Sequence, residues 1–261
     1  MKSPPTTILT VHTGKRYPDL WVRKLASMVA HNLSDSHRFI VYTDRPNSDS
    51  LNATVRSHSA PHQLLEVRDL QAGDLKGFFG KLRLFDQALT GSDPFLFLDS
   101  TLVIRSSLEP LIAIGRGSGA SVTGVRDWNY PILNSSVLWC EPDGHTQAVW
   151  ESWQQGRYAG IAFPGDQNVI FRAFNDQAPA ALAYWPDGLV SSYKGLRKLA
   201  GRDPEAARRQ LEASCIFKFH GRPKPNEVLH PWRHPRATIL RHPLRPRLWG
   251  YLADEIRSHW R

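Results

Sequence analysis

A nearly continuous apolar run extends from residue 94 to residue 104 and is interrupted only by Asp99, Ser100 and Thr101. Such a run is typical of a strand that is buried on both faces, as in a parallel sheet covered by helices. A carboxylate inside a buried strand carries a large desolvation cost unless it is paired, bound to metal or at the strand's open end. The run therefore predicts a buried strand whose polar break lies at the carboxyl edge of a sheet, where α/β folds bind ligands.

Strand-like and helix-like segments alternate on both sides of this run, which predicts an α/β protein with a mostly parallel sheet. Val22, Leu25, Val29 and Leu33 share one helix face, and we expect Asp19 to cap that helix. The predicted strands cover 7–12, 38–43, 94–104, 120–125, 132–139 and 216–220, and further helices begin at 76, 143 and 165, the first ending at 89.

The 261 residues carry a net charge of +9 and have a pI near 9.8. This charge favours an acidic partner: nucleic acid, an anionic lipid surface, or a phosphate-bearing donor or acceptor. No run approaches the roughly 18 apolar residues of a membrane span, and no signal-peptide core follows the first residues, so we expect a cytoplasmic protein. Cys140 and Cys215 lie in apolar runs, which predicts buried thiols.

Arginine, histidine, proline and tryptophan become frequent after residue 225. We expect a catalytic domain over residues 1–230 and a basic C-terminal tail over 231–261, with Trp232, Trp249 and Trp260 in the tail. The tail has two expected roles. Its tryptophans can pack on the domain, or the tail can be attracted to the inner membrane face or to an anionic lipid-linked acceptor.

Four short stretches, in this order, resemble the glycosyltransferase family 8 group and its bacterial relatives. They are 76–85 (KGFFGKLRLF), 97–104 (FLDSTLVI), 134–137 (NSSV) followed by 165–167 (GDQ), and 219–225 (FHGRPKP). In that family these stretches correspond to the helix before the metal-binding strand, the DxD strand, the sugar pocket and the loop that holds the donor diphosphate. The resemblance covers roughly residues 7–226.

The resemblance implies a GT-A fold, a single Rossmann-like mixed sheet with helices on both faces. It implies transfer of a hexose-type sugar, with retention, from a nucleotide-sugar donor such as a UDP-sugar to a glycan, lipid-linked or other acceptor, as in cell-surface polysaccharide synthesis. Asn134, Asp166 and Gln167 would face the transferred sugar and its anomeric carbon. Donor binding is assigned to His12, Thr13, Gly14, Tyr17, Asp44, Lys81, Asp99, Ser100, Thr101, Ser135, Lys218, His220, Gly221 and Lys224.

Several of these residues also have structural interpretations. Asp44 can begin a turn with Arg45, and Asp166 can cap the helix that follows it. Asp99 can be a hydrogen-bonding residue of the core, and Lys81 can lie on a solvated helix face. The sequence alone leaves these alternatives open.

The chain departs from the family pattern at two positions. Thr101 stands where the family has a second acidic metal ligand, and Lys218 stands at the usual place of the metal-binding histidine, with His220 two positions later. One hypothesis is that Lys218 and Lys224, with help from Arg222, partly or wholly replace the metal in neutralising the diphosphate. The competing hypothesis keeps Mn²⁺ or Mg²⁺ on Asp99 and His220, with Thr101 or water completing the shell.

Two other classes of function compete with the transferase. Residues 115–120 (GRGSGA) loosely match a dinucleotide-binding fingerprint, but they precede a predicted strand, whereas the fingerprint needs a strand followed by a helix. The net charge and the basic tail also suit a nucleic-acid-binding protein, although no zinc spacing or RNA-binding motif supports that class.

Overall fold

The computed structural model describes residues 5–58, 60–75, 77–161, 165–236 and 250–260. The chain divides into two units. The first comprises Met1–Arg23, Leu33–Ser100 and Glu109–Trp185, and the second comprises Lys24–Asn32, Thr101–Leu108 and Pro186–Arg261. Within the described ranges, no helix is long and apolar enough to span a membrane.

The secondary structure alternates between strands and helices, as the hydrophobic pattern predicts. In the described residues the strands are β1 (Thr6–His12), β2 (His37–Thr43), β3 (Gln63–Asp69), β4 (Phe95–Leu98), β5 (Leu102–Ile104), β6 (Val122–Arg126), β7 (Leu133–Cys140), β8 (Leu182–Tyr184), β9 (Val190–Ser192) and β10 (Ile216–Lys218). The α-helices there are α1 (Leu20–Asn32), α2 (Asp49–Arg56), α3 (Gln87–Thr90), α4 (Glu109–Gly117), α5 (Gly144–Gln154), α6 (Asp166–Gln177), α7 (Tyr193–Ala200), α8 (Pro204–Ala213), α9 (Pro225–Leu229) and α10 (Ala253–His259), and 3₁₀ helices cover Gly77–Phe85, Pro179–Ala181 and Pro231–Arg233.

The first unit is built on a seven-stranded mixed sheet in the order β3-β2-β1-β4-β7-β6-β8. The pairs from β3 to β4 are parallel, and β7 is antiparallel to both of its neighbours. Strands β4 and β7 are buried along their whole length. The sheet is therefore an α/β core sheet, as the apolar run predicts.

Strand direction places several chain segments at one edge of this sheet. Strands β1, β2, β4 and β6 all end there, whereas the antiparallel β7 begins there. Leu98 lies opposite Val137, and the backbone N–H of Asp99 donates to the carbonyl of Ser136 at 3.0 Å. The residue that follows β4 and the first residues of β7 are neighbours for this reason.

The second unit contains a three-stranded sheet in the order β5-β10-β9. Strand β10 runs antiparallel to β5 and parallel to β9, and its residues Ile216 and Phe217 are fully buried. Near the C-terminus, Ile256 of α10 is also fully buried. The Lys24 ammonium lies 4.5 Å from the centre of the Trp260 ring, so Trp260 packs within this unit.

The run from residue 94 to residue 104 is two strands and not the single strand that we predict from sequence. Strand β4 belongs to the first sheet and β5 to the second, and Ser100 and Thr101 form a turn between them. Polar side chains favour a turn over continued pairing, because they can bond to nearby backbone groups. The polar interruption is thus the point at which the chain leaves the first sheet.

The predicted helix over 76–89 begins at a residue outside the described ranges, and its described part is the 3₁₀ helix Gly77–Phe85 followed by α3. A Cβ atom built on Gly80 would lie 3.0 Å from a methyl of Leu70 and 3.5 Å from the methyl of Thr13. The hydroxyl of Thr13 also donates to the carbonyl of Gly77 at 3.3 Å. Glycine at position 80 therefore lets the 3₁₀ helix lie against the end of β1.

Asp143, where a helix was predicted to begin, and Asp19, the predicted cap of α1, differ in the bonds that their side chains make. Asp143 caps α5, because its Oδ1 accepts from the backbone N–H groups of His145 and Thr146 at 2.9 Å each. Asp19 occupies the N-cap position of α1, as predicted, but its side chain makes no capping bond. Its carboxylate pairs instead with His12 and Arg45.

Other sequence features also have a structural explanation. Cys140 and Cys215 are buried free thiols, as predicted. The glycine-rich residues 115–120 begin at the end of α4 and lead into β6, which is not the strand-then-helix order of a dinucleotide fingerprint. A Cβ on Gly115 would lie 2.4 Å from the Trp139 ring, so close packing accounts for that glycine.

Candidate active site

The side chain of Lys81 is buried at the carboxyl edge of the first sheet, with 9% of it exposed. Its Nζ lies 2.7 Å from Asp166 Oδ2 and 3.3 Å from Asp99 Oδ1. It also donates to the carbonyl and the hydroxyl of Ser135 at 3.1 Å each. Two carboxylates and two further oxygens thus surround one buried ammonium, which satisfies its charge and its donors.

The charge state of Lys81 follows from these neighbours. Burial by itself would lower the pKa of Lys81, but the charges of Asp166 and Asp99 outweigh burial and raise that pKa above its ordinary value. The ammonium is therefore charged at neutral pH. The alternative that Lys81 lies on a solvated helix face is therefore wrong.

Three separate chain segments supply the partners of Lys81. Asp99 directly follows β4, Ser135 lies near the start of β7, and Asp166 is the first residue of α6. The Ser135 hydroxyl donates to Asp166 Oδ2 at 2.5 Å. Gly165, and not Asp166, occupies the N-cap position of α6. The carboxylate of Asp166 faces the cluster, where its place in the first helical turn also suits a negative charge.

Asn134 and Gln167, the other two residues assigned to the sugar, lie beside this cluster. The amide of Asn134 donates to Asp127 Oδ2 at 2.9 Å and lies 3.5 Å from Gln167 Oε1. Gln167 Nε2 donates to the same Asp127 oxygen at 3.5 Å. Asn134 Oδ1 accepts from the backbone N–H of Ser136 at 3.2 Å. One half-buried carboxylate therefore holds both amides.

Asp127 is a site residue that the sequence analysis missed. It directly follows β6, and β6 is parallel to β4 because both are antiparallel to β7. Its carboxylate must therefore lie at the same edge as Asp99. The signal in the sequence is a carboxylate two residues after a predicted strand, but it becomes informative only when the direction of β7 is known.

The ends of β1 and β2 are joined by a contact between two of the predicted donor-binding residues. The backbone N–H of Gly14 donates to Asp44 Oδ2 at 2.9 Å, and Gly14 has a φ of +63°, which glycine adopts easily. The turn after β2 begins at Arg45, whose carbonyl accepts from Ser48 N at 3.0 Å. Asp44 therefore precedes the turn and binds the neighbouring strand end.

His12 lies next to this contact and is 2% exposed. Its Nε2 lies 2.9 Å from Asp19 Oδ1, which also accepts from Arg45 Nη2 at 2.6 Å. Burial is the main cause that lowers the pKa of His12, and Asp19 opposes it only in part, so the ring is neutral at pH 7. The sequence analysis assigned Asp19 to a helix cap and Arg45 to a turn, and it assigned neither residue to the site.

The remaining predicted residues of the first unit are placed as follows. Tyr17 stacks on Trp21, with ring centres 4.8 Å apart. Ser100 is 7% exposed. The nucleotide-binding roles of His12, Thr13, Gly14 and Tyr17 stay predictions.

In the second unit, Lys218 and Lys224 both donate to oxygen atoms of the chain. Lys218 Nζ donates to Thr101 Oγ1 at 3.1 Å, and Lys224 Nζ donates to the carbonyl of Phe219 at 2.9 Å. His220 Nδ1 lies 3.4 Å from the hydroxyl of Ser192.

The loop at Gly221 brings a further lysine into this group. Gly221 has a φ of +62°, and a Cβ built on it would lie 3.1 Å from Lys194 Nζ. Glycine therefore leaves room for that ammonium. Arg222, the next residue of the loop, lies 3.3 Å from the buried carboxylate of Glu227. Lys194 is the residue of this loop region that the sequence analysis did not assign to the site.

A divalent metal ion fits these side chains poorly. The Asp99 carboxylate faces the Lys81 ammonium, and the Thr101 hydroxyl accepts from the Lys218 ammonium, so a cationic group lies beside the first and the last residue of the DST motif. A metal ion there would be repelled by these charges. In the part of the chain that the structure describes, no three His, Cys, Asp or Glu side chains form a group that could hold a metal. Metal binding by Asp99 and His220 stays untested.

Solved structures with the same architecture are glycosyltransferases. The galactosyltransferase LgtC, solved with donor and acceptor sugar analogues, superposes with a TM-score of 0.60 at 15% identity over 84% of this chain and 89% of its own. The bifunctional glycosyltransferase WbbM gives 0.63 at 12% identity over 85% of this chain and 46% of its own. Mouse xyloside xylosyltransferase 1 superposes with a TM-score of 0.54 at 12% identity over 82% of this chain and 97% of its own.

The fold is that of the GT-A glycosyltransferases. At these identities the superpositions establish the fold and do not by themselves establish the reaction. No protein-family model and no curated protein sequence matches the chain. The GT-A fold nevertheless agrees with the fold that the four motifs imply, and the chain spans about half of WbbM but most of LgtC.

Proposed function

We propose that this chain is a glycosyltransferase that moves a hexose-type sugar from a UDP-sugar donor to a glycan or lipid-linked acceptor, with retention of configuration. The observation that carries the proposal is the buried Lys81, paired with Asp166 and Asp99 at the carboxyl edge of a GT-A sheet. Open α/β sheets bind their ligands at this edge. A buried ammonium between two carboxylates is also costly to maintain, which favours a functional reason for it.

In the proposed reaction, Asp166 faces the transferred sugar. Its carboxylate is fixed by Lys81 and by the Ser135 hydroxyl, so it needs no reorganisation when positive charge develops at the anomeric carbon. Asn134 and Gln167 are fixed by Asp127 and would hold sugar hydroxyls near that carbon. In a transfer with retention, the departing phosphate oxygen can take the acceptor's proton, so no protein base is needed.

The departing diphosphate requires positive charge, and we assign this role to Lys218 and Lys224. Each is an ammonium whose charge does not depend on a bound ion. Lys218 donates to Thr101, two residues after Asp99 in the DST motif, and Lys224 donates within its own loop. Glycine at position 221 allows the backbone of this loop to approach a phosphate closely.

The test is a binding and turnover screen. Thermal stability is measured with UDP, GDP, CDP and their sugars, and release of nucleoside diphosphate is then followed for every donor that raises the Tm. The Asp166→Asn variant keeps the shape of the side chain but removes its charge, and should lower turnover by about 10²-fold or more. Asp176→Asn, on the exposed side of the same helix, is the matched control.

Two results would oppose the proposal. One is a Tm that no nucleotide or nucleotide sugar changes. The other is turnover that Asp166→Asn and Asp176→Asn affect equally. Tight, salt-sensitive binding of RNA or DNA without any nucleotide-sugar binding would favour a nucleic-acid-binding protein instead.

A further inference from the structure

A cleft with a volume of about 460 Å³ lies in the first unit, between residues 71–75, which follow β3, and the C-terminal half of α5. Its wall is mostly apolar and it is open to solvent. None of the residues that surround Lys81 Nζ line it. The volume lies within the range of about 300–1,000 Å³ that is typical of small-molecule sites.

Two indole rings line the cleft, and neighbouring side chains fix both. The Arg83 guanidinium carbon lies 4.8 Å from the centre of the Trp150 ring. The Trp153 ring is stacked on Phe79, with ring centres 4.8 Å apart and planes 23° apart. Rings held in this way lose little conformational freedom when a ligand binds, which favours binding.

Polar groups lie at the margin of the same cleft. Arg83 donates to Gln71 Oε1 at 3.2 Å, so the NH₂ of that amide is the group able to donate to a ligand. Gln154 and Asp74, both exposed, also contribute to the lining. Arg83 is ion-paired with Asp86, which offsets its charge. The cleft therefore combines indole surface, more of it from Trp153 than from the 8% exposed Trp150, with amide and carboxylate groups, and the charge of its arginine is compensated.

This combination selects one class of ligand. A sugar ring has an apolar face of C–H groups that can pack on an indole, and a rim of hydroxyls that need donors and acceptors. A phosphate-bearing ligand would need an uncompensated cation, and Arg83 is compensated. A hydrocarbon chain would pack on the indole surface but would make no hydrogen bond to the amide of Gln71 or the carboxylate of Asp74.

The 3₁₀ helix Gly77–Phe85 connects this cleft with the candidate active site. Lys81, on this helix, contacts Asp99 and Asp166, while Phe79 and Arg83 of the same helix contact the two tryptophans. We propose that the cleft binds a neutral oligosaccharide, the part of the acceptor glycan that lies away from the reacting sugar. The oligosaccharide class rests on the cleft alone, and its assignment to the acceptor rests on the proposed function.

The test measures saccharide binding without any donor. Maltotriose, cellotriose and chitotriose are titrated into the full chain and followed by saturation-transfer NMR and calorimetry. We expect at least one trisaccharide to bind with a Kd of about 1 mM or tighter. Trp153→Ala should weaken that binding by about tenfold, and Gln71→Ala, an exposed position, by about threefold. Trp232→Ala, at a tryptophan that is 79% exposed in the second unit, should leave it unchanged.

Two results would overturn the inference. One is that no trisaccharide binds with a Kd below about 10 mM. The other is that binding is insensitive to both Trp153→Ala and Gln71→Ala. The Gln71 variant keeps the test decisive if Trp153→Ala unfolds the chain, because the side chain of Gln71 lies at the surface.

Failure of this inference is distinguishable from failure of the proposed function. If the chain releases nucleoside diphosphate from a sugar donor but binds no trisaccharide, the proposed transferase function stands and the proposed oligosaccharide site is wrong. If the chain binds a trisaccharide through Trp153 but turns over no nucleotide sugar, the proposed oligosaccharide site stands and the proposed transferase function is wrong.

Discussion

The ammonium of Lys81 lies 2.7 Å from the carboxylate of Asp166 in a region where both side chains are about nine-tenths buried. The two residues come from different elements, the 3₁₀ helix Gly77–Phe85 and the first turn of α6. Removing one partner of such a pair leaves the other charge buried without compensation, whereas removing both can be nearly neutral. Stability and catalysis at this site can therefore be separated by variants.

Lys81→Met should lower turnover by about 10²-fold and the free energy of unfolding by roughly 3 kcal/mol, because it leaves two carboxylates together without a cation. The double variant Lys81→Met/Asp166→Asn should recover much of the stability and none of the turnover. Urea denaturation and nucleoside-diphosphate release are the measurements, with Lys198→Met, at an exposed lysine, as the control. Turnover of Lys81→Met close to that of the parent chain would contradict a catalytic role.

EDTA should leave turnover unchanged, since one ammonium lies beside Asp99 and another beside Thr101, and each would repel a divalent ion bound at that residue. Lys218→Ala should lower turnover by about 10²-fold, because it removes charge that stabilises the departing diphosphate. Loss of all activity in EDTA, with recovery on addition of Mn²⁺, would instead establish the competing metal hypothesis.

The free energy of unfolding should fall as the pH is lowered below 6.5, the ordinary pKa of histidine. His37 is 2% exposed, its Nδ1–H donates to the Asp35 carbonyl at 2.8 Å, and its Nε2 accepts from Gln63 at 2.9 Å. Burial is the main cause that lowers the pKa of His37, so the unfolded chain takes up a proton at a higher pH than the folded chain. Protonation then favours unfolding, until the pH reaches the lowered folded-state pKa.

His37→Gln should make the free energy of unfolding less dependent on pH. The loss of stability that it removes is about 1.4 kcal/mol for each unit by which the pKa of His37 differs between the folded and unfolded states. Chemical denaturation at a series of pH values between about 5 and 8 measures it, in a range where carboxylates titrate little. A parallel pH dependence in the variant and the parent chain would assign the effect to other groups.

The basic tail predicts that the chain associates with anionic vesicles. The exposure of its tryptophans in the structure shows which one to replace in a test. Trp232 is 79% exposed, whereas Trp260 is 7% exposed and packs against Lys24, and Trp249 lies outside the described residues. Trp232→Ala should weaken co-sedimentation with phosphatidylserine vesicles severalfold and leave the Tm unchanged. Leu64→Ala, at an exposed apolar residue in the first unit, is the control.

Equal sedimentation of the parent chain and the Trp232 variant would end the membrane proposal for this residue. Trp260→Ala is unsuitable for the same test, because it removes a buried side chain and should lower the free energy of unfolding by about 3 kcal/mol.

The local elements could be predicted because their causes are local. Strands β1, β2, β6, β7 and β10 lie within two residues of the positions that apolar patterning predicts. The single strand predicted over 94–104 was wrong, since hydropathy cannot show that the chain changes sheets at the polar turn. Asp19 stands at the predicted N-cap position but makes no capping bond, for a similar reason: its carboxylate has a buried histidine and an arginine as partners, and neither adjoins it in sequence.

The sequence by itself determined that Asp99 interrupts a buried strand, and its resemblance to the glycosyltransferase family 8 group made Asn134 and Asp166 candidates for the same site. Only the tertiary structure decided how they meet. Strand β7 is antiparallel to β4, so its first residues lie beside the end of β4. Strand β7 is also antiparallel to β6, so the end of β6 and Asp127 lie at the same edge. Lys81 is buried beside Asp99 and Asp166 there. Burial patterns arise from neighbours along the chain, whereas the partner of a buried charge depends on strand order and direction, which long-range packing sets.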